Sequence, residues 1–316
     1  MSTQQVIILG INGHIGHNAA KAFVAAGWDV TGYGRSNRHP IEGVRFIKGD
    51  ADDVEAMRAA IGEIDVVVNA LNLPYHQWDN GRMEAQAERV LATLGTSGKT
   101  MLFPGNIYNY AATDRLVTPD LPQHPQTPRG AIRVRVEKLF SDAARRGDIQ
   151  LIILRAGDFY GPNNTFDWFD LAMLSEAGKG RLKLMGVRGV GHAWAYLPDL
   201  GRAFEKLAWH RGELGACETF HFAGHYVTPD QLETAIVAAA PVRLNVSVFP
   251  RWIFGAVGLV NPMMREVGKM AYLWENPMEL RDARLDAILG PGFATPFDEA
   301  IAATVAPFFA AERKAA

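Results

Sequence analysis

Apolar positions follow two rhythms in the first half of the chain. Short strand-like stretches with apolar centres at 5–9, 29–33, 44–48, 65–69, 100–103 and 150–155 alternate with helix-like stretches at 14–26, 52–61, 81–95 and 130–146. Unbroken runs of Val, Ile and Leu suit strands buried on both faces. Their alternation with helices predicts an α/β fold, a Rossmann-type doubly wound parallel sheet with ligands at its carboxyl edge. Gly27 follows the first helical stretch, where a glycine commonly ends a helix. Residues 104–130 break the rhythm with prolines at 104, 119, 122, 125 and 128, which predicts a long functional loop at that edge. Beyond about residue 157 the order becomes irregular. Short strands near 182–185, 192–196, 219–223 and 243–248 mix with helices near 166–177, 198–210, 229–240, 262–273 and 296–309. We expect a dinucleotide-binding domain over 1–160, rejoined by about 192–223, and a smaller α+β substrate region over 161–316.

The first apolar run ends in Gly10-Ile-Asn12-Gly13-His14-Ile15-Gly16. Three glycines at this spacing, between a strand and a helix, form a dinucleotide-binding turn. Gly10 makes the tight turn, Gly13 lets the backbone approach a pyrophosphate, and Gly16 lets helix pack on strand. The helix N-terminus then faces the phosphate charge. The second run ends in Gly32-Tyr33-Gly34-Arg35-Ser36-Asn37-Arg38. No acidic residue stands there to bind a ribose 2′-hydroxyl, whereas Arg35 and Arg38 bracket Ser36 and suit a 2′-phosphate. NADP(H) is therefore expected ahead of NAD(H). Asp50 after the third run is a candidate for the adenine amine, and Asp52 or Asp53 for a helix cap. Asn69, Ala70 and Asn72 close the fourth run beside the expected nicotinamide.

Composition narrows the class. The chain has 316 residues, 48% of them hydrophobic, with 32 Lys and Arg against 34 Asp and Glu. That is enough for a large core and too neutral for a nucleic-acid surface. One cysteine, Cys217, allows no internal disulfide and fits a reducing compartment. No signal peptide is expected, since Met-Ser-Thr-Gln-Gln leads directly into the first strand. The longest apolar stretch, Trp252 to Met264, is too short to span a bilayer and reads as a helix at a pocket or interface. A cytoplasmic location fits. No histidine spacing suits a metal.

Together these residues resemble the extended short-chain dehydrogenase/reductase superfamily, the nucleotide-sugar epimerase and dehydratase relatives. The glycine spacing, Arg35, Gly49-Asp50 and Asp65-Val-Val-Val match its cofactor half. Arg155-Ala-Gly-Asp158-Phe-Tyr160-Gly161-Pro162 looks like its Arg-x-x-x-x-Tyr-Gly-Pro segment, and Ala195-Tyr196-Leu-Pro-Asp199-Leu like its Tyr/His-Val-x-Asp segment. The resemblance covers roughly residues 5–225. It implies a bound nicotinamide dinucleotide and a possible homodimer through the helices near 81–95 and 130–146.

The catalytic half departs from that superfamily. Its Tyr-x-x-x-Lys pair falls on Arg129 and Arg133 when Glu137 is matched to the usual glutamate. Sliding the register brings Lys138 into place but pairs it with Val134. Pro104 falls at or beside the catalytic hydroxyl. Arginine stays protonated and relays protons poorly, so Arg129 is read as an oxyanion or anion binder and Arg133 as a ribose or phosphate clamp. Tyr108, Tyr110 and Tyr160 are candidate relocated acids. Asn106 is a binder, and Tyr75, Asn106, Tyr108, Asp158 and His192 are expected to line the substrate, His192 as a proton shuttle. Aromatic residues Phe166, Trp168, Phe169, Trp194, Trp252, Phe254 and Trp274 suit an apolar or aromatic substrate. The leading expectation is an NADP(H)-dependent oxidoreductase acting on a small carbonyl, alcohol or conjugated C=C. The alternatives are an epimerase or dehydratase on a sugar-like substrate, and a non-catalytic NADP(H) sensor.

Overall fold

The apolar runs pair side by side in the computed structural model, which describes residues 3–162, 167, 169–250 and 252–313. The first half contributes β1 (Gln5–Leu9), α1 (His14–Ala25), β2 (Asp29–Gly34), β3 (Val44–Lys48), α2 (Val54–Ile61), β4 (Val66–Asn69), α3 (Arg82–Leu94), β5 (Thr100–Asn106), β6 (Leu116–Val117), α4 (Pro128–Arg145) and β7 (Gln150–Ala156). The second half holds β8 (Asp158–Tyr160), β9 (Arg181–Leu184), β10 (His192–Tyr196), α5 (Leu197–Trp209), β11 (Cys217–His221), β12 (His225–Val227), α6 (Pro229–Ala239) and β13 (Asn245–Val248). It ends with α7 (Trp252–Gly258), α8 (Pro262–Met270), β14 (Glu279–Leu280), α9 (Ala283–Leu289) and α10 (Phe297–Arg313).

The main sheet has the order β11-β7-β5-β4-β1-β2-β3, and every neighbouring pair is parallel. Strand order reverses between β1 and β4, which opens a crevice at their carboxyl ends. One face packs on α1, α5 and α9, and the other on α2, α3 and α4, so both faces of β1, β4 and β5 are buried. Gly201 lets α5 lie against α1, since a Cβ there would come within 2.5 Å of Asn18 O. A third cluster, built on Tyr160, Phe169, Trp194, Ile236 and Ile301, fills the C-terminal region.

Several boundaries differ from the sequence reading. β5 runs on through Pro104 to Asn106. Its pairing with β4 ends at Leu102, so the missing N–H of Pro104 breaks no ladder on that side. The loop that follows is not featureless: it carries β6, which pairs with the distant β14. Of the helix expected near 166–177, a π-helical turn spans Phe169–Leu174. Phe166 and Trp168 lie outside the described residues. The stretch from Trp252 forms the short helix α7, with Trp252 largely exposed, followed by a turn in which Leu259 and Val260 are exposed. Among the described residues no helix is long and apolar enough to cross a membrane.

Candidate functional site

Gly10, at φ +81°, turns the chain out of β1, and a Cβ on it would lie 2.8 Å from Ala70 O. A Cβ on Gly16 would come within 2.5 Å of Gly10 O, so glycine is what lets α1 approach the turn. A Cβ on Gly13 would meet only Gly10 O, at 3.4 Å, which leaves its outer face open. No side chain caps α1. An uncapped helix N-terminus behind a glycine cradle fits a pyrophosphate.

Asn12 is engaged differently from the expectation. Its Nδ2 donates to Ser36 O and its Oδ1 accepts from Arg38 N at 3.1 Å, so this side chain fastens the β2–β3 loop to the glycine turn. Arg35 and Arg38 are thereby held at the end of β2 with exposed side chains. Asp50 also supports the local backbone. Its Oδ1 accepts from Asp52 N, and its carbonyl accepts from the Tyr33 hydroxyl. Asp53 caps α2. His14 Nδ1 sits 2.9 Å from Asp167 Oδ2, tying the glycine turn to the C-terminal region.

The crevice holds a cavity of about 260 Å³. Ile15, Ala70 and Asn72 stand at its end beside the glycine turn, and Asn106, Tyr108, Tyr75, Arg133, Asp158 and Asp167 line the rest. Hollows of about 410 Å³ near Asp199 and about 530 Å³ beside α4 are larger, but neither touches the glycine turn or the ends of β1 and β4. The carboxyl-edge cavity is the site the fold builds.

Inside it, Asn106 Oδ1 accepts from Tyr108 N and sets the turn that presents Tyr108. Tyr75 and Tyr108 meet edge to face, with ring centroids 6.3 Å apart. Burial pushes both phenols above the usual tyrosine range. They are neutral hydrogen-bond donors near pH 7, not bases. Asp158 is the acidic group opposite. β8 lies beside β10, which brings His192 Nε2 to 3.0 Å from Asp158 Oδ2. Trp274 Nε1 donates to the same oxygen at 2.7 Å. His192 Nδ1 lies 3.0 Å from Leu273 O. A carbonyl only accepts, so Nδ1 carries a hydrogen and Nε2 faces the carboxylate. The Asp158–His192 pair therefore offers a place for a proton against the cavity wall.

The two arginines separate. Arg133 lines the cavity, with Cζ 4.8 Å from the Phe103 ring centre and 5.8 Å from that of Trp78. Its Nη2 donates to Pro104 O, and burial weighs against its charge while Glu137 and Tyr108 favour it. Arg129 is withdrawn behind the wall at 1% exposure and does not line the cavity. Asp79 and Glu266 hold it, and it stacks on Tyr75. The two lie one helical turn apart on the same side of α4, and tertiary packing separates them: Arg129 meets the Tyr75–Asp79 loop and α8, whereas Arg133 meets the end of β5. Lys138 lies on the outer face of α4, paired with Asp142. Tyr160 is fully buried, with its hydroxyl 2.6 Å from His225 Nδ1, and it stays off the cavity. Tyr110 is likewise buried, bonded to Arg155 and His221. His192 reaches the cavity only through Asp158. Asp167, Glu266 and the Leu273 carbonyl had no sequence signal, because their partners lie from tens to more than a hundred residues away. Among the described residues no group of three or more His, Cys, Asp or Glu is placed to hold a metal ion.

The sequence model of the NAD dependent epimerase/dehydratase family matches residues 6–215. No curated protein matches the chain. Among solved structures, UDP-glucose 4-epimerase from Brucella ovis in complex with NAD superposes with a TM-score of 0.77 at 18% identity, covering 97% of this chain and 98% of that one. UDP-glucose-4-epimerase from Stenotrophomonas maltophila, with bound NAD and formylated UDP-arabinopyranose, gives 0.76 at 16% identity over 99% and 100%. MoeE5 in complex with UDP-glucose and NAD gives 0.75 at 17% over 99% and 100%. At such identities these likenesses establish the fold. The family match spans well over half of the chain, from β1 to just short of β11, and the chain belongs to the NAD dependent epimerase/dehydratase family.

Proposed function

We propose that the protein binds a nicotinamide dinucleotide and carries out an epimerase- or dehydratase-type conversion of a sugar-like substrate linked to a nucleotide. One observation carries this reading: a single cavity runs from the glycine turn, past the end of β4, to a wall bearing Asp158, Tyr108, Tyr75 and Arg133. Cofactor and polyhydroxylated substrate fit end to end in such a crevice. Family membership and the nucleotide-sugar ligands of the structural neighbours favour this reading over reduction of a simple carbonyl or conjugated C=C.

Bound dinucleotide would supply hydride acceptance and return at carbon. Asp158 would accept the proton of the reacting hydroxyl at Oδ1, since His192 and Trp274 both bond to Oδ2. His192 would hold the carboxylate in that orientation. Tyr75 and Tyr108 would donate hydrogen bonds to substrate oxygens. The dinucleotide is proposed to be NADP(H), because Arg35 and Arg38 flank Ser36 and β2 ends without an acid. The neighbours' NAD makes the alternative cofactor the natural comparison.

Calorimetric titration with NADP⁺ and NAD⁺, followed by incubation with UDP-sugars and NMR analysis of the sugar, tests the proposal. Binding of a dinucleotide together with an inverted or dehydrated sugar is the expected result. Tight binding with no turnover of any sugar nucleotide, carbonyl or enone would instead favour the sensor reading. No binding of either dinucleotide would overturn both.

A further inference from the structure

The three most exposed large apolar side chains among the described residues are Leu259 and Val260, each at 84%, and Trp252 at 71%. They belong to one short stretch of chain. Trp252, Ala256 and Leu259 recur at helical spacing and are all exposed, so the outer face of α7 is an apolar stripe that Val260 continues into the turn. The inner face is buried at Phe254 and Gly258. Two glycines close the hairpin. A Cβ on Gly258 would lie 3.1 Å from Arg265 Cα, and one on Gly268 would lie 3.1 Å from Phe254 Cβ. α7 and α8 therefore run close and antiparallel, with residues 259–261 at the tip.

The charge around this stripe has one sign. Between residues 243 and 270 the sequence holds Arg243, Arg251, Arg265 and Lys269 against a single acid, Glu266, and no charge falls between Trp252 and Met264. Glu266 is buried and faces three cations: Lys269 at 2.7 Å, Arg129 at 3.2 Å and Arg265 at 3.8 Å. One carboxylate cannot neutralise three cations, so the exposed side chains of Arg265 and Lys269 leave the hairpin positive. An apolar stripe with a tryptophan at one end and cations beside it is the pattern of a helix that lies in a membrane interface.

We infer that the α7–α8 hairpin seats on a bilayer surface rich in anionic lipid. Trp252, Leu259 and Val260 enter the boundary between headgroups and acyl chains, and Arg265 and Lys269 face the lipid phosphates. The hairpin lies on the bilayer and does not cross it, since neither helix approaches the length of a span. A folded protein partner is the poorer fit. A stable protein interface takes roughly 800 Å² from each side, whereas α7 is only about 10 Å long. A bilayer needs no matching surface, and its hold grows with apolar area and anionic charge. The inference does not depend on which substrate the cavity takes.

Flotation of the full chain with vesicles tests it, using phosphatidylcholine alone and equal parts of phosphatidylcholine and phosphatidylglycerol. Partitioning onto the anionic vesicles is expected to be at least about tenfold stronger, and to fall toward the neutral level in about 0.5 M salt. Leu259→Ser combined with Val260→Ser should weaken partitioning by more than about tenfold, and Arg265→Gln by about fivefold. These variants should melt with wild type, because the side chains they replace are exposed. Val237→Ser, at an exposed apolar position of α6, should float like wild type. Quenching by brominated lipid should be larger for wild type than for Trp252→Phe. Equal partitioning onto both vesicle types overturns the inference, as does binding indifferent to the double substitution. A dimer that the double substitution dissolves, with no vesicle binding, also overturns it and assigns the stripe to a second copy of the chain.

Discussion

Arg129 Nη2 lies 2.9 Å from Asp79 Oδ2, and this contact takes the residue matched to the superfamily's tyrosine out of the active cavity. Its Nε lies 3.2 Å from Glu266 Oε2, so one guanidinium joins α4, the loop after β4, and α8. These elements form the back wall behind Tyr75. Arg129→Ala should lower stability by about 3 kcal/mol, the low end for breaking a buried pair, because Lys269 still faces Glu266. Asp79→Asn should cost less than about 1 kcal/mol, since Asp79 is 54% exposed. Urea denaturation of the two variants checks the ranking. An Arg129→Ala variant as stable as wild type would remove the tether from the account.

Gly16 is the tightest point of the glycine turn. Alanine there would place Cβ 2.5 Å from Gly10 O, backbone against backbone, with no flexible side chain to yield. Gly16→Ala should shift α1 away from β1 and weaken dinucleotide binding by more than about tenfold. Gly212→Ala is the matching control, since nothing lies within 4 Å of its added Cβ and its φ is ordinary. Fluorescence titration with NADPH should separate the two variants. Equal affinities would mean that the turn does not hold the pyrophosphate.

Much of this frame was legible in local pattern. The runs at 5–9, 29–33 and 44–48 became β1, β2 and β3 nearly residue for residue; β1 carries the continuous apolar signature of a strand buried on both faces, while the edge strand β3 is only half-buried. Asn12 shows where local reading stops. Its position beside Gly13 suggested contact with the cofactor, but its side chain binds Ser36 and Arg38, 24 and 26 residues away. Arg129 and Arg133 sit one helical turn apart and looked equivalent. Only tertiary packing makes one a buried tether and the other a cavity wall. The Asp158–His192–Trp274 chain is the extreme case, since its 116-residue span leaves no spacing to read.

Arg35 decides the cofactor prediction. It stands at the end of β2 with an exposed side chain, beside Ser36, which Asn12 fixes through its carbonyl. Arg35→Ala should weaken NADPH binding by about tenfold or more while changing NADH affinity by less than about twofold. An added Arg38→Ala change should deepen the loss. Equal effects on both dinucleotides, or no effect on either, would count against a 2′-phosphate contact and return NAD as the cofactor.

Asp170 gives the fold a pH dependence with a definite sign. It is 4% exposed, and among the described residues neither carboxylate oxygen has a hydrogen-bond partner. Burial first, and then the negative charge of Asp167, raise its pKa to about 7 against the pull of His14. The folded state thus holds this proton more tightly than the unfolded chain, whose aspartates titrate near about 3.9. The stabilisation is complete below the unfolded value and is lost as pH rises through about 7. Asp170→Asn keeps the shape without the charge. The melting temperature of this variant should therefore gain on wild type from about pH 4 to about pH 7 and hold a constant lead above that. Because Asp167 and His14 stand beside the glycine turn, the same window should appear in the melting of the dinucleotide-free protein, before any ligand is added. A lead that is the same at every pH would show that Asp170 stays ionised in the fold.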